Sequence, residues 1–538
     1  VDSGSLPPFT GMPPAARNLF EKRFLDFQKL FISEPPMIFN SFGFLIFFVI
    51  VVCFYFSIPY KYRWILLLAA SYYFYMCWKA EYVIILAAAS LWDYWLALLM
   101  AKASTPLVRK RYLQLSLFLN LAALFAFKYL TFFNNTINAL LAQFNIMVNM
   151  PAFKLFLPVG ISYYVFKKIS YMIDVYRGHQ EPEKHLGKFA LYVSFFPGLT
   201  AGPIDRAKDL LPQFSREHRV EYQRIIDGLK LMAWGMFKKV VIADRLAVFV
   251  SRVYRHPLDY QGVSLAIATF FFSVQIYADF SGYTDMAIGI GQVMGFQLTD
   301  NFNRPYFSKS ITEFWKRWHI SFTSWLRDYL FLPIAYAVSR KIKTPAVWHI
   351  KGESWAYIIA TIITMLLCGL WHGAYWTFVI WGGFHGLYLV ISHLTRKTRK
   401  KLRRKLVPQA LKKPYGYIRV LFTFSVVSLL WVFFRARSLT HAFYIIGRIF
   451  NPGDWARFFL EKGRWSIVLL GRSLEEFFIA LVAIGFMLLV HAVQPHEGMR
   501  HMFSSKYLVF RWAMYILLAL LIMNLGKVME IPFIYAEF

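Results

Sequence analysis

The stretch Leu366-Leu-Cys-Gly-Leu-Trp-His-Gly373 reads as the end of a membrane-spanning helix until it reaches a histidine. A second stretch, Phe314-Trp-Lys-Arg-Trp-His-Ile-Ser321, sets His319 in equally aromatic company. A titratable side chain in apolar surroundings is costly, and inside a membrane it is by default a candidate functional group. Imidazole is also the usual side chain for moving a proton near neutral pH. The two stretches point to proton transfer within a bilayer; the plain alternative is a pair of packed histidines bonded to backbone carbonyls.

Working outward, the whole chain carries the same apolar character. It has 538 residues, of which 58% are hydrophobic and 19% aromatic, with a mean hydropathy of +0.44. Charged residues make up only 17%, against about 25% in soluble domains. Roughly a dozen apolar segments can be drawn at or near the ~20 residues a span requires. Several are short, or broken by Gly and Pro, and irregular backbone at membrane depth survives only inside protein or along a cavity. A polytopic, all-α membrane protein with re-entrant segments is therefore expected.

The net charge of +31 does not imply nucleic acid, because the Lys and Arg residues cluster between apolar runs, as cytoplasmic loops do. Lys61 to Arg63, Lys102 to Arg111 and His496 to Lys506 belong to the inner face on this rule. So does Arg396 to Lys413, with ten basic residues and no acidic one. Its Leu402, Leu406 and Val407 give it an apolar side suited to anionic lipid; an acidic docking partner is the alternative. Alternation through the runs 38–58, 64–78, 83–100 and 112–132 puts the uncharged stretch 133–153 outside. Runs near 417–434, 475–494 and 509–524 alternate likewise.

The expected organisation has four parts: an extension over 1–36, a core over 37–395 with both histidines, a basic segment over 396–416 and C-terminal spans over 417–538. The extension is a tag remnant, a processed end or a native feature, and the first span begins just after Met37.

The central region mixes charges into apolar sequence. It holds Leu157-Pro-Val-Gly-Ile-Ser162, Ile169 to Gly178, Phe195-Phe-Pro-Gly-Leu-Thr-Ala-Gly-Pro-Ile-Asp-Arg206, Tyr277-Ala-Asp-Phe-Ser-Gly-Tyr-Thr-Asp285 and Asn301-Phe-Asn-Arg-Pro-Tyr306. The Pro and Gly content of 195–206 predicts a re-entrant turn. Ser310 and Glu313 fit a capping box opening a helix, on which Trp315 and His319, four apart, share a face. Asp279, Asp285, Arg317 and Asp328 are expected to form a buried polar network. Cys368, one turn before His372, is expected to pack, as are Cys53 and Cys77, with no disulfide framework among the three. His385 in Gly382-Gly-Phe-His-Gly386 is read as structural, its small neighbours favouring close helix contact. No H-x-x-x-H or H-E-x-x-H spacing joins the histidines, so no metal site is expected.

These motifs, in this order, resemble the membrane-bound O-acyltransferase (MBOAT) family, and within it the bacterial alginate O-acetyltransferase-like branch. The resemblance runs from Met37 through the C-terminal spans. It implies a ring of about eleven or more helices around a thinned centre, where a funnel opens to a cytoplasmic donor. It implies His372 as the catalytic base and His319 as the second polar position, which is asparagine in many eukaryotic members. It implies acetyl transfer from acetyl-CoA or a carrier thioester, with no bound cofactor, to an exported polysaccharide or an extracytoplasmic acetyltransferase partner, in the bacterial inner membrane. Trp315, Trp318 and Trp371 are candidate tunnel walls. Lys167 and Lys168 stand where relatives often carry uncharged polar residues; they are candidates for holding donor phosphates, or else snorkel at a lipid boundary.

Rival readings remain at this point. D-alanyl transferases of teichoic acid synthesis share the fold and both histidines, but are shorter. A proton-coupled transporter is expected to show inverted repeats, and the sequence shows no convincing one.

Overall fold

The apolar runs become helices with few surprises in their bounds. The computed structural model describes residues 37–145, 158–342, 346–347, 350–460, 464–494, 507–527 and 533–534. The extension 1–36 and the basic stretch from 496 to 506 lie outside the described residues. Among those described, eight helices are long and apolar enough to span a membrane.

The chain opens with α1 (Phe42–Ser57), α2 (Arg63–Met76) and α3 (Tyr82–Lys102). Ser41 starts α1 by accepting from the Phe44 amide at 3.1 Å, which satisfies one of the donors every helix N-terminus leaves open. α4 runs unbroken from Pro106 to Ala142. Thr105 caps it and Pro106 occupies its first turn, where a missing N–H is harmless. The uncharged stretch 133–153 is helical through Ala142. The 37 helical residues of α4 reach about 55 Å, well beyond a ~30 Å hydrocarbon core.

The middle contains α5 (Ile161–Arg177), α6 (Leu186–Ser194), α7 (Tyr222–Met236), α8 (Asp244–Arg255) and the buried α9 (Gly262–Met294). Two short helices follow, α10 (Ile311–Arg317) and α11 (Ile320–Leu326), then α12 (Leu332–Lys341). A two-residue strand pair, β1 (Ala346–Val347) and β2 (Ile350–Lys351), precedes α13 (Gly352–His372) and α14 (Trp376–Leu394). The basic α15 (Arg396–Leu406), α16 (Lys412–Arg435), α17 (Leu474–Val493) and α18 (Leu508–Leu525) complete the labelled set.

Two features position the site. The first is the contact of α13 with α14. A Cβ placed on Gly369 meets the Phe378 carbonyl at 2.2 Å, and one on Gly382 meets the Met365 carbonyl at 2.1 Å. The backbones therefore touch, as small residues allow between helices in lipid. The second is a set of π-helical turns at Phe125–Tyr129, Phe237–Ala243 and Arg327–Phe331. Such turns recur at functional positions, and each here carries charge: Lys128, the Lys238–Lys239 pair, and Arg327 with Asp328.

Candidate functional site

His319 sits at a break that the sequence did not announce. The expected single helix carrying Trp315 and His319 on one face is corrected: α10 ends at Arg317, and His319 takes φ 45°, ψ 55° before α11 begins. Tertiary bonds enforce the break. The Ile320 amide donates to the Asn301 carbonyl at 2.9 Å, and the Ser321 hydroxyl donates to the Asn301 side chain at 2.6 Å. The Ile204 amide, from the Pro- and Gly-rich turn, donates to the Ser321 hydroxyl at 3.0 Å. Three motifs separated in sequence thus converge to hold one bend. The capping residue behaves as expected, with the Glu313 amide on the Ser310 hydroxyl at 3.2 Å. Glu313 closes the turn one residue further out, accepting from the Lys309 amide at 2.8 Å.

The Pro- and Gly-rich stretch 195–206 forms a buried turn. Phe196–Leu199 is a buried helical turn followed by buried extended chain. Gly160, at φ +74°, packs so closely on it that a Cβ would lie 2.4 Å from the Leu199 carbonyl. A left-handed conformation without room for a side chain requires glycine.

His372 is the last residue of α13 and is buried, as is His319. Phe322 and Trp371 stack between the two imidazoles. Their ring centroids are 4.1 Å apart; Phe322 lies 4.9 Å from His319 and Trp371 4.7 Å from His372. Phe280 closes the far side of His319 at 4.6 Å. Trp381 and Phe434 flank His372 at 5.1 and 5.3 Å. Trp381 then meets His385 at 4.8 Å, and Trp315 meets it at 5.2 Å. Three histidines therefore share one aromatic cage. Among the described residues neither ring nitrogen of His319 or His385 has a hydrogen-bond partner, and neither do the indole N–H groups of Trp315, Trp371 and Trp381. Buried polar atoms left in this way call for an explanation, commonly a water or ligand in the functional state. His319 lies outside the long apolar helices, and burial holds its pKa below the usual range for histidine. Its ring is then neutral at physiological pH and offers one donor and one acceptor.

Of the other candidates, Trp371 and Trp315 line the cage, while Trp318 stands behind it, against Phe302, Phe314 and Trp431. Lys168 is not placed to meet a phosphate. Its amine is buried 3.2 Å from Asp93 and donates to the Ala89 carbonyl at 3.1 Å. Lys167 is buried too, its amine without a hydrogen-bond partner among the described residues and close to Gly198. The expected four-member polar network divides into separate places. Asp285 pairs with Lys238 at 2.6 Å and Asp279 with Lys239 at 2.8 Å, both where the π turn Phe237–Ala243 packs on α9. Arg317 pairs with Glu313 at 2.6 Å, while Asp328 meets Arg327 at 2.8 Å and Arg206 at 3.4 Å. These last two sites are partly exposed.

Sequence reading missed Lys128. From the π turn of α4 its amine donates to the carbonyl of Trp371, the residue before His372, at 2.6 Å. The available signal was a single cation inside an apolar run, Phe125-Ala-Phe-Lys-Tyr129.

A model of the membrane-bound O-acyltransferase family matches residues 88–434. The chain is 38% identical to "Probable alginate O-acetylase AlgI" of Pseudomonas putida, over 84% of this chain and 87% of that protein. It is 32% identical to the peptidoglycan O-acetyltransferase of Helicobacter pylori, over 66% and 68%. With the teichoic acid D-alanyltransferase of Streptococcus thermophilus it shares 29% identity, over 51% of this chain and 68% of that one.

Proposed function

Because the chain belongs to the membrane-bound O-acyltransferase family, a set of multi-pass membrane enzymes, we propose that it moves an acetyl group from a cytosolic thioester, acetyl-CoA, to hydroxyls of an exported polysaccharide across a bacterial inner membrane. The observation that carries this reading is His372. It is a buried imidazole at the end of α13, the helix that leads from the basic face of the molecule toward the opposite one.

Transfer from a thioester to a hydroxyl needs a base as attack begins. In this scheme His372 takes the acceptor O–H proton while the oxygen bonds to the thioester carbonyl carbon. The tetrahedral intermediate collapses with cleavage of the C–S bond, and the leaving thiolate recovers a proton. A positioned base supplies about 10²–10⁴-fold; orientation and stabilisation of the oxyanion supply much of the rest. His319, held neutral with a ring N–H to offer, is the donor to the carbonyl oxygen or the group that orients the acceptor. The stacked Phe322–Trp371 pair keeps the two imidazoles in register and excludes water. The funnel and ring of the family architecture belong to this proposal as the route by which the donor reaches the cage.

The test is incorporation of radiolabelled acetyl from acetyl-CoA into polysaccharide, using membranes with wild type or His372→Ala at equal abundance. Label with wild type alone supports the scheme; equal label with both refutes His372 as base. Label only from an aminoacylated carrier protein would transfer the reading to D-alanyl chemistry.

A further inference from the structure

A groove of about 260 Å³ opens between α9, the turn Pro305–Phe307, α16 and α17. Its walls are largely apolar, and Tyr417, Leu421 and Leu488 among them are exposed. In a chain that spans a membrane, such residues meet lipid rather than water. Two helices agree on the depth of the groove. Tyr417 to Phe424 lie about 8–18 Å from the first residue of α16, and Ile484 to His491 lie about 3–14 Å from the last residue of α17. Both spans fall mostly in one half of a ~30 Å hydrocarbon core. α16 follows the basic stretch Arg396–Lys413 and α17 precedes the basic stretch 496–506. On the positive-inside rule that half is the cytoplasmic one.

A cation stands in the groove wall. Arg304 donates from one guanidinium nitrogen to the carbonyls of His491 at 3.2 Å and Gln494 at 3.3 Å, at the end of α17. A helix C-terminus carries about half a negative charge, which offsets only part of the guanidinium's. Among the described residues no carboxylate pairs with Arg304, and a guanidinium has further N–H donors in a fork that matches phosphate. The rim is basic as well. Arg419 donates to the Lys309 carbonyl at 2.8 Å, and the Lys309 side chain lies against Gly416, next to Tyr417. Glu313, which accepts from the Lys309 amide, has its charge met by Arg317 at 2.6 Å. The larger groove of about 470 Å³ between α7, α17 and α18 differs, because its one charged wall residue, Lys230, pairs with Asp227 at 2.5 Å. Basic pockets between helices on the cytoplasmic side are the kind that hold anionic lipid headgroups.

We infer that the groove at Arg304 binds an anionic phospholipid of the cytoplasmic leaflet, with one acyl chain between α16 and α17 and the phosphate on Arg304. The inference stands apart from the acyl-transfer reading. The lipid also reaches the loop that shapes the histidine cage. Arg304 follows closely on Asn301, whose side chain accepts from Ser321 beside the His319 bend. Tyr306, in the groove wall, accepts from the Trp431 indole at 3.2 Å. A bound lipid braces this loop from the membrane side.

The test titrates full-length protein in detergent with phosphatidylglycerol, phosphatidylethanolamine or inorganic phosphate and reads lipid adducts by native mass spectrometry. One phosphatidylglycerol should bind about tenfold more tightly than phosphatidylethanolamine, whose ammonium cancels its phosphate charge. Equal affinity for the two lipids overturns the inference. So does displacement of the lipid by an equal concentration of inorganic phosphate, which would make the cation a site for a soluble anion. Arg304→Gln keeps an N–H for the two carbonyls and should erase the preference. Leu421→Trp fills the groove with Arg304 untouched and should weaken both lipids, so it decides the matter even if Arg304→Gln fails to fold. Binding by Leu421→Trp equal to wild type overturns the placement of the chain. As a second readout, phosphatidylglycerol should raise the thermal midpoint of wild type more than that of Leu421→Trp, since a ligand of the folded state stabilises it; equal shifts count against the groove.

Discussion

Along the seam where the π turn Phe237–Ala243 and the start of α8 meet α9, buried charges face partners. Lys238 lies 2.6 Å from Asp285 and 2.7 Å from Ser281, and Lys239 lies 2.8 Å from Asp279 and 2.9 Å from Asp244. The cage around His319 and His385 is as deeply buried, yet their ring nitrogens and three neighbouring indole N–H groups meet no partner among the described residues. Burial is common to both regions, and satisfaction separates them. Charges removed from water persist when they are paired with good geometry, so the seam holds helices in place. Polar atoms walled by aromatic rings are candidates for contact with a water or a substrate. The contrast accords with the proposed scheme, in which the first region serves architecture and the second serves chemistry.

The largest effect expected in either region is the loss of His372. His372→Ala should reduce acyl transfer by about 10²–10⁴-fold without changing the amount of folded protein, measured by label incorporation and detergent gel filtration. Intact activity would remove the cage from the chemistry. Breaking the seam should do the reverse. Lys239→Met leaves Asp279 and Asp244 buried without their shared cation, at about 3–5 kcal/mol, visible as a lower thermal midpoint and reduced membrane abundance. A Lys239→Met protein as stable as wild type would end the seam's structural role.

Smaller effects sharpen the boundary between the regions. Gly382→Ala forces α14 off α13 and should cost about 1–3 kcal/mol of stability, with turnover falling because His372 ends α13, the helix that α14 packs against. Smallest in stability is the backbone effect at His319. His319→Val, a β-branched residue at φ 45°, should lose about 1–2 kcal/mol relative to His319→Asn, while both lower turnover. Equal melting of the two variants would show that the bend is not strained.

Much of this layout could be read before any coordinates. The long helices follow from apolar runs at or near the length of a span. Both histidines were legible because a titratable group in such sequence is conspicuous. What was hidden depended on contacts far apart in the chain. The helix from Ser310 looks continuous through His319, because the clamp that breaks it comes from Asn301 and Ile204. Lys168 looks available until Asp93, on α3, is seen beside it. Lys128 gains meaning only when α4 lies against the end of α13. Local pattern carries no trace of partners seventy or two hundred residues away.

The left-handed backbone at His319 limits how this position can change over evolutionary time. Few residues other than glycine enter that conformation at low cost, and histidine, asparagine and aspartate are the ones enriched there. Selection at this site therefore draws from a short alphabet, and each polar letter in it also hydrogen-bonds. A drift from histidine to asparagine preserves the bend while altering only the hydrogen-bonding groups it displays, so a lineage can exchange the side chain here without rebuilding the fold that presents it.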